Sequence, residues 1–210
     1  MLPGESMDLQ IRPSTREDAP FLVPSTNAGS RGLAIHTWTA EAKPGEDPWE
    51  LALRHVGSDD CPVSWCRAWI AEASGEPAGL LFAYRLPDSP EEVEHSSISP
   101  NFNVLNELEA EAWGTGHVYL MSMAEPWRGR GIGTALLRFA ERWRGPRGMS
   151  LIVSDNNEGA RRRYERQAYA EVGRRRMVKL DWESTGTDWI MTGKARVRQA
   201  QVHTQLRGIR

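Results

Sequence analysis

Residues 125–143, EPWRGRGIGTALLRFAERW, weld a glycine–arginine loop onto an amphipathic helix, and this junction limits the folds open to the chain. Before it, HVYLMSMA (117–124) is an apolar run of strand length. After it, Ile132, Leu136, Leu137, Ala140 and Trp143, with Phe139 nearby, recur at helical spacing and define a stripe that must be buried. A strand, a short loop and a buried helix in succession pack the helix on a sheet. The first turn of such a helix has N–H groups without intrahelical acceptors and a partial positive charge. Gly129, Gly131 and Gly133 let the backbone approach a ligand, and Arg128 and Arg130 add charge. The loop is therefore a candidate cradle for a diphosphate. Two nucleotide patterns are not met. No lysine follows Gly133, as the G-x-x-x-x-G-K-[ST] loop requires, and G-x-G-x-G lacks the spacing of the dinucleotide fingerprint.

The rest of the chain supplies elements for that sheet. Residues 9–12 alternate as a first strand, and Ser14 or Thr15 then caps a helix with Glu17 and Asp18 in its first turn. Residues 24–48 are rich in breakers, with a helix over part of 28–41. A second helix runs from Pro48 to about Val56 behind Asp47. Residues 67–73 and 76–86 read as strands joined by the turn SGEP. A polar loop over 87–103 precedes a helix over 104–113. Residues 149–155 form a further buried strand, NEGARRRYERQAY a short helix, and EVGRRRMVKL and TDWIMTGKA two closing antiparallel strands.

Composition bounds the function. The net charge of −2 over 210 residues argues against a protein built for nucleic acid, and no segment has the roughly 18 apolar residues of a membrane span. The N-terminus lacks the pattern of a secretory signal, and Cys61 and Cys66 have no second pair with which to hold zinc, so a cytoplasmic protein with reduced thiols and no metal is expected. Between residues 86 and 116 lie seven acidic side chains (Asp88, Glu91, Glu92, Glu94, Glu107, Glu109, Glu111) and no Lys or Arg, whereas basic residues dominate 128–179. This asymmetry fits a cationic substrate on one side and an anionic cofactor on the other, and equally fits two solvated faces. Trp38, Trp49, Trp65, Trp69 and Trp113 are candidate walls for an acceptor pocket as well as candidate core. A homodimer is compatible with the sequence and not required by it.

Arg128-x-x-Gly131-x-Gly133 between a strand and a helix resembles the Q/R-x-x-G-x-G/A signature of the GNAT acetyltransferases, the GCN5-related N-acetyltransferases. The segment that follows is similar too: a strand, then Asn157, Ala160, Tyr164 and Glu165 in the spacing Asn-x-x-Ala-x-x-x-Tyr-Glu, then a closing hairpin. The resemblance is good from residue 67 to about 194 and poor over 20–60 and 196–210. One departure is Ala168-Tyr169 where the family commonly has Gly-Phe; an alanine is uncomfortable there if φ is positive.

The resemblance implies an α/β fold with a mixed, mostly antiparallel twisted sheet flanked by helices and a splayed central strand pair. It implies one domain over residues 1–195, followed by a basic tail over 196–210. It further implies an enzyme that moves an acetyl group from acetyl-CoA to a primary amine of a small molecule or a protein by direct attack in a ternary complex. The backbone of Met121, Ser122 and Met123 would pair with the pantetheine arm. The N–H groups of Gly129, Arg130, Gly131, Ile132, Gly133 and Thr134, flanked by Arg128, would hold the pyrophosphate, with Asn157 near the thioester. Tyr164 would protonate the leaving thiolate. Glu125 is the candidate base, with Glu109, Glu111, His117 and Ser122 as alternatives. A longer acyl donor, a non-catalytic CoA-binding module, or an interaction protein using Arg196, Arg198, Arg207 and Arg210 remain open readings.

Overall fold

The structure, a computed structural model, describes residues 8–59, 63–90 and 100–195. Cys61, the acidic residues Glu91, Glu92 and Glu94, and the basic segment 196–210 lie outside the described residues. Seven strands make one sheet: β1 (Leu9–Pro13), β2 (Ala68–Ala73), β3 (Glu76–Arg85), β4 (Gly116–Met123), β5 (Met149–Ser154), β6 (Ala170–Arg176) and β7 (Asp188–Lys194), in the order β1-β2-β3-β4-β5-β7-β6. Every pairing is antiparallel except β4 with β5. The β2–β3 hairpin turns through Ser74 (φ 53°) and Gly75 (φ 81°), the two-residue, positive-φ geometry that matches strand twist.

Helices cover both faces. α1 (Ala19–Gly29), α2 (Leu33–Glu41) and α3 (Pro48–Gly57) lie on one face, where Leu22, Val23, Trp38, Ala52 and Val56 pack with Ile70, Leu80 and Phe82. α4 (Pro100–Glu111) adjoins them and contributes Leu108 to a cluster with Leu33, Trp182, Trp189 and Met191. On the opposite face α5 (Ile132–Ala140) and α6 (Glu158–Arg166) bury Ile132, Leu136, Leu137, Ala140, Ala160 and Tyr164 against Leu81, Val118, Leu151 and Val153. The α5 stripe is therefore the buried face expected of it. Phe139 and Trp143 complete it at the rim, packed on Trp69 with ring centroids 4.8 and 5.7 Å away.

The helix expected over part of 28–41 is α2, and the one expected behind Ser14 or Thr15 is α1; Arg31 (φ 56°) and Gly32 (φ 88°) break the chain between them. Two prolines fall within α1 and hide how far it runs. Pro20 sits at its start, where no N–H is needed, and burial of Leu22, Val23 and Thr26 outweighs the bond lost at Pro24. The helix expected over 104–113 begins earlier, at Pro100, so residues 100–103 belong to α4 and not to the loop.

The expected cap is present in local form: Thr15 and Asp18 close a reciprocal capping box on the 3-10 turn Arg16–Asp18 that leads into α1. The sheet edges are guarded. β1 ends in Pro13, and β6 carries a bulge at Val172 followed by Arg174, Arg175 and Arg176.

Candidate active site

The centre of the sheet is open. β4 and β5 pair in parallel over three residues only: Gly116 with Met149, His117 with Ser150 and Val118 with Leu151. Beyond Val118 the strands part. β4 stays with β3, which pairs Met121, Ser122 and Met123 with Leu81, Leu80 and Gly79, while Ile152, Val153 and Ser154 of β5 stay with β7. The parting coincides with a bulge: Phe82 faces Leu120 and Ala83 faces Val118, so Tyr119 is an extra residue on β4. A bulge bends its strand and raises the local twist, which turns β4 away from β5. The edge of Met121–Met123 that faces β5 is thus not covered by a strand.

The glycine loop stands at the end of this gap. After β4 a 3-10 turn (Glu125–Trp127) leads to Gly129 (φ 78°) and Gly131 (φ 87°), the residue before α5. A side chain at either position would meet no atom within 4 Å, so space is not what demands glycine there; the left-handed backbone is. Gly131 accepts from the N–H groups of Thr134 (2.9 Å) and Ala135 (3.1 Å), whereas Ile132 and Gly133, in the first helical turn, have no intrahelical acceptor. Arg128 Nε donates to the carbonyl of Met123 (3.3 Å), tying the loop to β4, and the Arg130 guanidinium lies 5.1 Å from the Trp127 ring centroid.

α6 closes the other side. A Cβ on Gly133 would lie 3.1 Å from Met123 Cε and 3.2 Å from Arg163 Cζ, so the start of α5, the end of β4 and α6 converge at this point. Asn157 is the N-cap of α6, its Oδ1 accepting from the Ala160 N–H at 3.3 Å. Tyr164 is buried in the cluster that holds Leu151 and Val153 of β5. Burial pushes its phenol up to about 12, with Arg163 opposing, so it is protonated at neutral pH. Between α6, β6 and β7 lies a cavity of about 30 Å³, lined in part by Tyr164, Tyr169 and Glu171.

The base candidates fall in different places. Glu125 is exposed at the start of the 3-10 turn, beside the glycine loop. Ser122 is buried on β4. Glu111 pairs with Arg175 of β6. Glu109 and His117 lie together in a polar group with the buried Ser150 and Thr115 and the exposed Tyr84, on the face opposite α5. Tyr84 and Ser150 were not singled out from the sequence; nothing local marks a Tyr on β3 or a Ser on β5 as partners of His117.

The tryptophans of the N-terminal half lie against other rings or arginines. Trp38 is buried and edge-on to the exposed Trp49 (6.2 Å), Trp69 meets Phe139 at a tilt of 58°, Trp65 lies under Arg16 (5.6 Å) and Trp113 under Arg147 (4.0 Å). A cavity of about 310 Å³ is lined instead by Gly32, Ile35, His36, Thr39, Asp181, Trp182 and Glu183, between α2 and the β6–β7 connection. His36 Nε2 and Asp181 Oδ1 are 3.4 Å apart across it. These residues also escaped sequence reasoning, because they come from two segments with no shared motif.

The sequence model of the acetyltransferase (GNAT) family matches residues 33–169, and the chain belongs to that family. No curated protein matches the chain significantly by sequence. Solved structures share the fold. An acetyltransferase is 17% identical at TM-score 0.58, over 89% of this chain and 98% of its own. An N-acetyltransferase from Staphylococcus aureus Mu50 is 15% identical at TM-score 0.54, over 87% and 98%. Ard1 from Thermoplasma volcanium is 11% identical at TM-score 0.52, over 90% and 98%. The protein is accordingly a GNAT-family N-acetyltransferase with the mixed sheet and parted central strands of that fold. Among the described residues no group of His, Cys, Asp and Glu could hold a metal ion, and no helix is long and apolar enough to cross a membrane.

Proposed function

We propose that this enzyme, in one domain spanning residues 1–195, transfers the acetyl group of acetyl-CoA to a primary amine by direct attack in a ternary complex. The observation that carries the reading is the edge of Met121–Met123 that β5 leaves uncovered, ending at the Gly129–Gly131 loop. An extended pantetheine arm fits beside such an edge as a substitute strand. Its amides would pair with the backbone of Met121, Ser122 and Met123. Its pyrophosphate would meet the N–H groups at the start of α5, with Arg128 and Arg130 adding charge.

The chemistry supplied by the coenzyme is an activated thioester. The chain must hold its carbonyl for attack, offer a donor to the developing oxyanion and protonate the departing sulfur. A backbone N–H of the β4 edge is suited to the second task. The buried, neutral phenol of Tyr164 is suited to the third. Asn157 spends Oδ1 on the helix cap, and its Nδ2 is the atom we assign to the coenzyme near the thioester. The acceptor would enter from the opposite face, where the cavity bearing Asp181 and Glu183 suits a cationic amine.

Thiol release from acetyl-CoA with a panel of primary amines, compared between wild type and Tyr164→Phe, tests this. The reading predicts amine-dependent thiol release. It also predicts a roughly 10²-fold or greater fall in kcat for the variant with little change in KM for acetyl-CoA. Equal turnover in the two proteins would remove the acid role, and no amine-dependent release in wild type would remove the transferase reading.

A further inference from the structure

Thr115, His117 and Ser150 form a buried chain whose hydrogen directions can be worked out. Thr115 Oγ1 donates to the carbonyl of Ala112 (2.6 Å), which can only accept. With that hydrogen spent, the contact between Thr115 Oγ1 and Ser150 Oγ (2.7 Å) needs the serine as donor. Ser150 Oγ then accepts from His117 Nδ1 (2.8 Å). The chain therefore fixes one tautomer: hydrogen on Nδ1, a bare lone pair on Nε2. That lone pair faces Glu109 Oε1 at 3.7 Å, and Glu109 Oε2 accepts from the Tyr84 hydroxyl at 3.1 Å. His117 is 1% exposed and the Glu109 side chain 14%. Two lone pairs facing each other in a buried setting make a site that binds a proton.

The position of this group matters as much as its chemistry. His117 immediately precedes Val118, the last β4 residue paired with β5. The Tyr84 ring lies 5.8 Å from His117 and 6.0 Å from Tyr119, the bulge residue where the gap opens. Tyr84 is 36% exposed and so connects the buried pair to the outside. The group sits on the face opposite α5, away from the glycine loop.

We propose that the Glu109–His117 pair, reached through the Tyr84 hydroxyl, accepts the proton of the incoming ammonium; this rests on the acetyltransfer reading above. The Tyr84 oxygen takes a proton from the ammonium as its own passes to the Glu109 carboxylate. The neutral amine then attacks the thioester carbon, forming C–N. Collapse of the adduct breaks C–S as Tyr164 gives its proton to the thiolate, and the excess proton left on nitrogen passes through solvent to the Tyr164 phenolate, restoring the phenol. Glu109 returns its proton to solvent. His117 is a positioning residue: its bare Nε2 disfavours the unprotonated carboxylate and so tunes it.

Burial pushes the Glu109 carboxyl up to about 7, opposed by the Tyr84 hydrogen bond, and pushes His117 down to about 3. Neighbouring charges lie elsewhere: Glu107 and Glu111 of α4 pair with Arg175 of β6, and Arg67 acts on Tyr84 from the turn before β2. Because the folded value of Glu109 lies above its ordinary one of 4.5, the stability it contributes is complete below about pH 4.5 and is lost as pH rises through 7. Glutamine, uncharged and able to donate to Nε2, escapes that loss.

The test is the pH profile of thiol release with saturating acetyl-CoA. The amine is whichever of tyramine, spermidine and a tetrapeptide with a free N-terminus the wild type acetylates fastest. We expect a kcat/KM limb near pH 7 in wild type and its disappearance in Glu109→Gln, with kcat lowered about 10²-fold. The KM for acetyl-CoA should be unchanged. Glu109→Gln should also melt higher than wild type at pH 8 and equally at pH 5, an inverse relation of stability and rate that a purely structural carboxylate would not give. Tyr84→Phe should lower kcat while keeping the stabilisation by acetyl-CoA.

A wild-type rate and limb in Glu109→Gln, or loss of the limb in Glu125→Gln instead, would overturn the proposal while leaving acetyltransfer intact. Stabilisation of wild type by acetyl-CoA without turnover of any amine would overturn it as well. Failure of wild type both to bind acetyl-CoA and to release thiol would remove the underlying reading, and this proposal with it.

Discussion

Ala168 is held at φ 64° at the end of α6, a conformation that crowds Cβ against the backbone and that glycine adopts freely. The residue is exposed, so nothing packs against the methyl group to offset the strain. Ala168→Gly should therefore stabilise the protein by about 0.5–1 kcal/mol after allowing for the greater freedom of the unfolded chain. Urea titration would show this as a higher midpoint at unchanged slope. This position was legible in the sequence, because the family pattern placed a glycine there. Asn157 and Tyr164 also stood out in the sequence, as did the alternate glycines, because each set falls within one helix or one loop. Glu109, His117, Ser150 and Tyr84 were not legible as a set. They come from a helix and three strands and meet only through the order of the sheet. His117 and Glu109 could be picked out singly as titratable residues, yet nothing local paired them.

At the scale of elements, the site depends on how closely α5 lies on β3. A Cβ on Gly79 would come within 3.0 Å of Leu136 Cδ1 and 3.1 Å of Ile132 Cγ2, so the absence of a side chain at Gly79 sets the height of the helix. Gly79→Val should cost about 1–3 kcal/mol through overpacking. It should also lift the first turn of α5 and weaken acetyl-CoA binding at a distance from any contact with the ligand. A calorimetric titration giving wild-type affinity in a destabilised variant would show that the helix start tolerates the shift. The strands flanking this contact were read correctly from alternation and apolar runs, and the SGEP turn from its glycine. The extent of α1 was not, because Pro20 and Pro24 signal irregular chain, and only packing on Ile70, Leu80 and Phe82 makes a continued helix the better outcome.

The whole molecule divides its work between the two faces of one sheet. α5, α6 and the glycine loop occupy one face; α1, α2, α4, the Glu109–His117 pair and the 310 Å³ cavity occupy the other. The gap between β4 and β5 lies between the two faces, and in the proposed reaction a thioester held in it would be attacked from the second face. The acid-rich and base-rich halves noted in the sequence match this division only in part, since Glu107 and Glu111 neutralise Arg175 across the α4–β6 contact.

The proposed binding of acetyl-CoA by the gap and its loop is open to test by thermal unfolding with and without the coenzyme. A ligand at 1,000 times its Kd stabilises the folded state by about 4 kcal/mol, which for a chain of this size raises Tm by roughly 8–16 °C. Wild type should show a rise of that order in millimolar acetyl-CoA, and Gly131→Val, which cannot hold φ 87° without strain, should show little or none. No rise in wild type, or an equal rise in both proteins, would rule out coenzyme binding at this loop.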